Sequence, residues 1–474
     1  MKQKVTFLSS EIMVSLFKSL AISGIVLYFI YIALFYHPCC QSSALLANFR
    51  YKLSSSSIAD SPTNISHLVF GIASSANTWK NKRAYIESWW QANTTQGFIF
   101  LDRAPKESLQ WPSTIPPFRV SEDTSRYKEY NKHPNPNAIR MARIVLETFR
   151  EENKGVRWYI MADDDTIFFL DNLVEVLAKY DHSKYFYIGS NSECVASNFD
   201  HSFGMAFGGA GFALSYPLAE ALVKNLDVCI KTYPTLYGSD HILQSCIADL
   251  GVSLTQEKGF HQIDLHSDIS GFLSALPQSP SVSLHHLDVV EPIFPSMNRY
   301  QSLNHLMEAS KADQSRLLQQ TICYHKQSNW SFSISWGYSA HIYETIYPPS
   351  ILHRPLQTFI PWKKSARSPY MFNTRFPSND PCEAPHVFYF EAVEKNMANQ
   401  IVTSYVRRSP RRLVACSSSG NHSANYISKI QVLSPLKRHD EASNRRECCD
   451  ILHVADKNFT EVKFRACMKD EIVA

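Results

Sequence analysis

Arg157-Trp158-Tyr159-Ile160-Met161-Ala162-Asp163-Asp164-Asp165-Thr166-Ile167-Phe168-Phe169 is the stretch that decides how the rest of the chain reads. Its apolar run, Trp158 to Ala162, predicts a buried strand. Side chains alternate along a strand, so Asp163 and Asp165 are expected on one side and Asp164 on the other. Three adjacent carboxylates repel one another unless a cation lies between them. Hard divalent ions such as Mg²⁺ or Mn²⁺ take a few carboxylate oxygens and leave positions for water or phosphate, and open α/β sheets bind ligands at the carboxyl ends of their strands. The alternative is a solvated acidic turn, which the apolar flank argues against.

On either side of this stretch, strand and helix alternate. Residues 67–73 and 97–101 read as strands, with a helix at 81–90 between them, and residues 137–151 carry apolar side chains at helical spacing. Beyond the triplet, Asp171 and Asn172 offer caps for a helix, 185–189 and 207–214 read as strands, and Pro217 opens a further helix. Ser239 is expected to cap a helix ending at Gly251, which places Asp240 in its first turn, where the helix dipole favours an ionised acid. Repeated β-α units imply an α/β fold with a mostly parallel, mixed sheet. From Pro292 onward proline, aromatic and basic residues dominate, which predicts a second, loop-rich β module.

The chain has 474 residues, more than a single core usually serves. We divide it into 1–18, 19–36, 37–64, 65–295 and 296–474: a cytoplasmic tail, a membrane anchor, a stalk, a catalytic domain and a C-terminal β module. The anchor rests on Ser19–Tyr36, which holds no charge and no proline and is just long enough to span a bilayer. Lys2, Lys4 and Lys18 precede it, so the positive-inside rule puts the rest of the chain across the membrane. A cleaved signal peptide is the rival, with Ser42 to Ala44 as its nearest cleavage site. Asn-x-Ser/Thr acceptors at Asn64, Asn93, Asn329, Asn421 and Asn458, and eleven cysteines, fit an oxidising compartment. Cys194, Cys229 and Cys246 also read as plain buried thiols, whereas Cys416, Cys448, Cys449 and Cys467 look like staples of a small module. A net charge of +4 with 19% charged residues gives no argument for nucleic acid, and a homo-oligomer is compatible with this composition.

The ordered segments Val69–Trp90, Arg157–Phe169, Tyr187–Ser190, Phe207–Ser215, Tyr237–Val252 and Ser283–Asp288 resemble the Fringe-related glycosyltransferases of glycosyltransferase family 31. They are most similar to the plant branch known as domain of unknown function 604. The resemblance runs from about residue 65 to the C-terminus. It implies a GT-A-like nucleotide-sugar-binding domain, a UDP-sugar donor, Mn²⁺ (or Mg²⁺), a glycan or glycoprotein acceptor and a single-pass type II anchor in the Golgi membrane. Carried over by motif, Asp163 and Asp165 hold the metal, and Asp163 and Asp164 lie at the donor. His285 is the expected third ligand, with His286 as the alternative. Asp240 matches the general base, which inverting transfer requires because the acceptor hydroxyl must lose its proton as the bond forms. Gly208, Gly209 and Ala210 resemble the segment lining the sugar pocket, although a tight turn needs glycines equally. Ala73, Ser74, Ser75, Arg83 and Asp102 stand where the family contacts the nucleotide, but many relatives place threonines at Ala73-Ser74-Ser75, which unsettles those contacts. The implied activity is transfer of a hexose, galactose or N-acetylglucosamine, in a β-1,3 linkage. The competing readings are a catalytically inactive glycan-binding protein that keeps the fold and a metal phosphohydrolase.

Overall fold

β1 (Leu68–Ala73) is buried along its whole length, and its position explains its composition. It lies between β2 (Gln96–Leu101) and β4 (Trp158–Asp163), both parallel to it, and a strand covered on both faces needs a continuous apolar run. In this computed structural model the described residues are 22–28, 61–105, 111–127, 137–276, 279–365, 368–416, 423–436, 445–454 and 458–472. The sheet continues through β3 (Phe118–Val120), parallel to β2, at one edge. On the other side β7 (Phe212–Ser215) runs antiparallel to β4 and to β6 (Tyr187–Gly189), and β8 (Leu254–Gln256) closes the edge parallel to β6. The result is a seven-stranded, mixed but parallel-rich α/β sheet in the order β3-β2-β1-β4-β7-β6-β8.

Helices α1 (Trp79–Trp89), α2 (Ala138–Phe149), α3 (Leu170–Ala178), α4 (Val195–Asp200), α5 (Tyr216–Thr232) and α6 (Ser239–Asp249) connect these strands. A small second sheet matters most for the site. In it β5 (Ile167–Phe168) and β9 (Phe260–His261) flank β11 (Ser283–Leu284), which pairs Leu284 with Ile167; β10 (Leu265–Ser267) pairs with Phe359–Pro361 in a separate two-stranded sheet. The last third of the chain forms an eight-stranded sheet between Gln320 and Arg465, antiparallel apart from the pairing of Lys429–Leu433 with Phe459–Lys463. Residues Thr63–Ala474 form one compact unit, whose largest apolar cluster runs from Leu68 to Phe464, with a second cluster between Val69 and Ile247.

Several expected elements shift. The strand expected at 207–214 begins only at Phe212, because Gly208 to Gly211 form a turn in which Gly211 takes φ +79° and donates its N–H to Gly208 O at 2.9 Å. Neither Asp171 nor Asn172 caps α3, which starts at Leu170. Asn172 is buried instead and donates to the carbonyls of Ser281 (2.8 Å) and Gln314 (2.9 Å). Gly238, not Ser239, is the N-cap of α6. Cys229 and Cys246 are not buried thiols but a disulfide joining α5 to α6, while Cys194 is a buried thiol. Cys323–Cys449, Cys382–Cys416 and Cys448–Cys467 staple the C-terminal sheet.

Ile22–Tyr28 is helical and exposed, and no helix among the described residues is long and apolar enough to cross a membrane. The remainder of the expected tail, anchor and stalk, up to residue 60, lies outside the described residues, as does Asn421. Asn64, Asn93, Asn329 and Asn458 are all exposed.

Candidate active site

β4 ends at Asp163, so Asp164 and Asp165 lie in a turn and not on a strand. The expected separation of the three carboxylates is present, but strand alternation is not its cause. Thr166 closes the turn: its N–H meets Asp163 O at 3.2 Å, and its hydroxyl accepts from Asp163 N at 3.1 Å and donates to Gly209 O at 2.7 Å. That closure brings Asp165 back beside Asp163, while Asp164 accepts the Ser74 hydroxyl at 2.7 Å on the other side.

The β5–β11 pairing then delivers the imidazole. Leu284 sits opposite Ile167, two residues past Asp165, so the next residue, His285, reaches the cluster. His285 Nε2 lies 3.1 Å from Asp165 Oδ1 and 3.9 Å from Asp163 Oδ2, and its Nδ1 faces Gln262 O at 3.3 Å. His286 takes φ +60° and turns away, to Asp264 at 3.3 Å and onto the Trp362 ring at a centroid distance of 4.5 Å. Ligand atoms of Asp163, Asp165 and His285 all lie within 4.8 Å of one another, and two carboxylates with one imidazole suit a borderline divalent ion such as Mn²⁺. A grouping of Cys448, Cys467 and Glu471 is no such site, because the two sulfurs are bonded to each other.

The charges in the cluster depend on one another. Burial pushes the Asp163 carboxyl up to about 7, with His285 opposing. Burial also works against ionised Asp165, but His285 and Lys82 overcome it and hold this carboxyl well below the usual range. His285 is raised to about 9 by Asp165 and Asp163, against its burial.

Lys82 was not singled out by its sequence. Its Nζ lies 2.7 Å from Asp165 Oδ2 and also contacts Asp288, and burial of the ammonium is outweighed by these two carboxylates, which raise its pKa. Arg83, the expected phosphate contact, points elsewhere and pairs with Glu87 one turn along α1 at 2.7 Å. One helical residue separates their directions by about 100°. Lys82 faces the cluster and Arg83 faces solvent. The signal was present in the Lys82-Arg83 pair and in the terminal Asp288 of Ser283–Asp288, but nothing in sequence says which basic residue faces inward.

Asp240 stands across the Gly208–Gly209 turn. Its Oδ2 accepts from Gly208 N at 2.9 Å and its Oδ1 from the Ser239 hydroxyl at 3.0 Å. Burial raises its pKa against these two bonds, the reverse of what the helix dipole alone predicts. Asp240, Asp163, Gly208 and Ala73 line one small cleft, of about 20 Å³. The glycines have a concrete cause here: a Cβ on Gly208 would collide with the Asp240 carboxyl, and one on Gly209 with the His285 ring. Ala210 donates to Gln262 Oε1 at 2.7 Å. Asp102 accepts from Ala76 N at 2.7 Å and fastens the loop that begins at Ser74, while Ser75 O accepts from Trp79 N at 2.9 Å and starts α1. Arg140, also unforeseen, is buried and donates to Ser74 O at 3.0 Å.

The chain is similar to a β-1,3-glucosyltransferase of Mus musculus, 28% identical over 119 residues, which are 25% of this chain and 23% of the mouse protein. The chain thus matches under a quarter of that relative's length. Among solved structures, the mannosyltransferase PcManGT from Pyrobaculum calidifontis in complex with GDP-Man and Mn²⁺ aligns at 10% identity and a TM-score of 0.23, over 44% of this chain and 63% of that one, a superposition too distant to assign function. The family model described as protein of unknown function, DUF604, matches residues 197–449, which include Asp240, His285 and the Gly208–Gly209 turn. That match covers more than half of the sequence, and the chain therefore belongs to the DUF604 family.

Proposed function

We propose that this protein is a metal-dependent inverting glycosyltransferase that moves a hexose, galactose or N-acetylglucosamine, from a UDP-sugar to a hydroxyl of a glycan or glycoprotein, in a β-1,3 linkage. The observation that carries this reading is the convergence of Asp163, Asp165 and His285 within 4.8 Å at the carboxyl end of β4, with Asp240 in the same cleft as Asp163. Asp163, Asp165 and His285 would hold the ion, whose chemistry is to offset the charge left on the departing diphosphate. Lys82 adds a second positive charge beside Asp165. Asp240 takes the proton of the acceptor hydroxyl as its oxygen bonds to the anomeric carbon and the bond to the diphosphate breaks with its electrons. Burial makes Asp240 a stronger base than a solvated carboxylate, and the Gly208 N–H and Ser239 hydroxyl favour its ionised form.

The deciding experiment presents the full chain with a panel of UDP-sugars and Mn²⁺ and measures UDP release with and without an acceptor glycoside. Turnover with one donor, lost in Asp165→Ala and on chelation, is expected. Equal turnover with and without chelator refutes the metal's role, and phosphate release without any sugar donor would point to a phosphohydrolase. We further propose that the site lies in the Golgi lumen behind the 19–36 anchor. Four disulfides and exposed sequons support this. A glycan-dependent mobility shift on endoglycosidase treatment is expected, and its absence would overturn the assignment.

A further inference from the structure

A second cavity, of about 260 Å³, opens at the carboxyl ends of β6 and β8, apart from the Asp163–Asp240 cleft. That is just below the ~300–1,000 Å³ of pockets for drug-sized ligands and suits a single ring. Ser190, Asn191 and Gln256 supply polar edges, while Leu276, Met371 and Phe372 supply an apolar wall. The Phe372 ring is held in place by stacking on Tyr370 at a centroid distance of 5.5 Å.

One residue of the cavity wall also carries an unsatisfied group. His261 and Glu193 both line it and both are buried, with His261 Nδ1 3.0 Å from Glu193 Oε1 and Glu193 Oε2 accepting from Ile263 N at 2.8 Å. Among the described residues His261 Nε2 is buried with no partner, which is unfavourable unless a ligand or water completes it. A carboxylate can only accept, so Nδ1 carries a proton, and Nε2 is an acceptor in the neutral ring and a donor in the charged one. A hydroxyl satisfies either state, since it both donates and accepts. The Glu193 charge is already met by His261 and a backbone N–H, and the Lys258 ammonium that also lines the cavity is exposed to water, so the cavity wall calls for no charged ligand. A small ring with hydroxyls on its edge and C–H groups on its faces matches all of these features.

We propose that this cavity is a subsite for a neutral hexopyranose, the acceptor-side sugar of the glycan that receives the transferred residue. Its role as acceptor subsite rests on the glycosyl-transfer reading; its binding of sugar does not. Two links join it to the reacting centre. Ser190 O accepts from Phe207 N at 3.1 Å, and the next residue, Gly208, binds Asp240. His261 O accepts from His285 N at 3.1 Å. Two segments of the cavity wall are therefore hydrogen-bonded to the segments that carry the partner of Asp240 and the metal ligand His285.

The test is saturation-transfer NMR on the full chain with the methyl glycosides of galactose, glucose and N-acetylglucosamine, comparing wild type with Met371→Trp. Met371 is 44% exposed at the cavity rim, so an indole there fills the space without entering the core. Binding of at least one glycoside is expected in wild type, weakened about tenfold or more in Met371→Trp, with UDP–Mn²⁺ affinity unchanged in the same samples. His261→Phe, which removes both ring nitrogens and keeps an aromatic ring, is expected to weaken the glycoside likewise, with a thermal melt to register the loss of the Glu193 partner. Wild type that binds none of the three at millimolar concentrations, or glycoside binding that survives Met371→Trp, overturns the proposal. Failure of the transfer reading is separate: no UDP release from any donor, with glycoside binding intact.

Discussion

Gly209→Ala perturbs the proposed metal centre without replacing a ligand. A Cβ built at this position lies 2.6 Å from His285 Nε2 and closer still to Cε1 and Nδ1 of the same ring. Non-bonded atoms are comfortable at about 3.5–4.0 Å, so the ring must retreat by roughly 1 Å. It has little room, since His285 is 3% exposed and its ring centroid already lies 3.8 Å from that of His286. Overpacking of this kind costs about 1–3 kcal/mol. A retreat of that size pulls Nε2 away from Asp165 and Asp163. Loss of a partner that merely orients a ligand weakens metal binding about 10–100-fold, and displacing the ligand itself should cost at least as much. Gly204→Ala is the matched control in the same loop, because its Cβ meets only Ser202 Oγ at 3.5 Å and Gln244 Nε2 at 3.8 Å. Mn²⁺ titration followed by electron paramagnetic resonance, with a thermal melt of each variant, reads both effects. Wild-type Mn²⁺ affinity in Gly209→Ala, or an equal loss in Gly204→Ala, would refute the reasoning.

Asp240→Asn keeps the shape of the side chain but cannot take a proton, so transfer should slow by roughly 10²–10⁴-fold with UDP–Mn²⁺ affinity unchanged; transfer at the wild-type rate removes Asp240 from the mechanism. Lys82→Met removes a cation that competes for Asp165, and Mn²⁺ should bind the donor-free protein about tenfold more tightly, a fraction of the ~4 kcal/mol that unit charges 4 Å apart exert near a protein surface; weaker Mn²⁺ binding in calorimetry would show that Lys82 organises the site and does not compete. In the C-terminal sheet, Glu344 is held near about 2, against its burial, by His386, the Ser423 hydroxyl and the N–H groups of Cys416 and Ala424. His386 is itself lowered by burial, so a neutral imidazole donates to the carboxylate, at 2.8 Å. A folded-state pKa below the unfolded value means stability fully present above pH about 4.5 and lost as pH falls toward about 2. Denaturant melts between pH 7 and 3 should show Glu344→Gln less stable at pH 7 by about 1.5–3 kcal/mol and less sensitive to acid than wild type; parallel pH profiles would refute this.

Read alone, the residues located the α/β sheet, because Leu68–Ala73, Gln96–Leu101 and Trp158–Asp163 are apolar runs of strand length separated by helical periodicity. Local chemistry also singled out the Asp163–Asp165 triplet, three adjacent acids behind an apolar strand, whereas Asp240 and the Gly208–Gly209 segment stood out only through the family resemblance. Directions were not legible. Whether Lys82 or Arg83 faces the carboxylates depends on how α1 is rotated against the sheet, and whether His285 or His286 turns inward depends on the β5–β11 register and on the Trp362 ring that captures His286. The glycines illustrate the division. Sequence offered a turn and a ligand approach as equal causes, and the tertiary structure supplied a third, that the Asp240 carboxyl and the His285 ring occupy the space a Cβ would need. Apolar periodicity is a property of neighbours along the chain and survives in the sequence, whereas the meeting of Asp165, Lys82, Asp288 and His285 joins residues up to 206 positions apart, and only the packing of α1, the β4 turn and β11 against one another decides it.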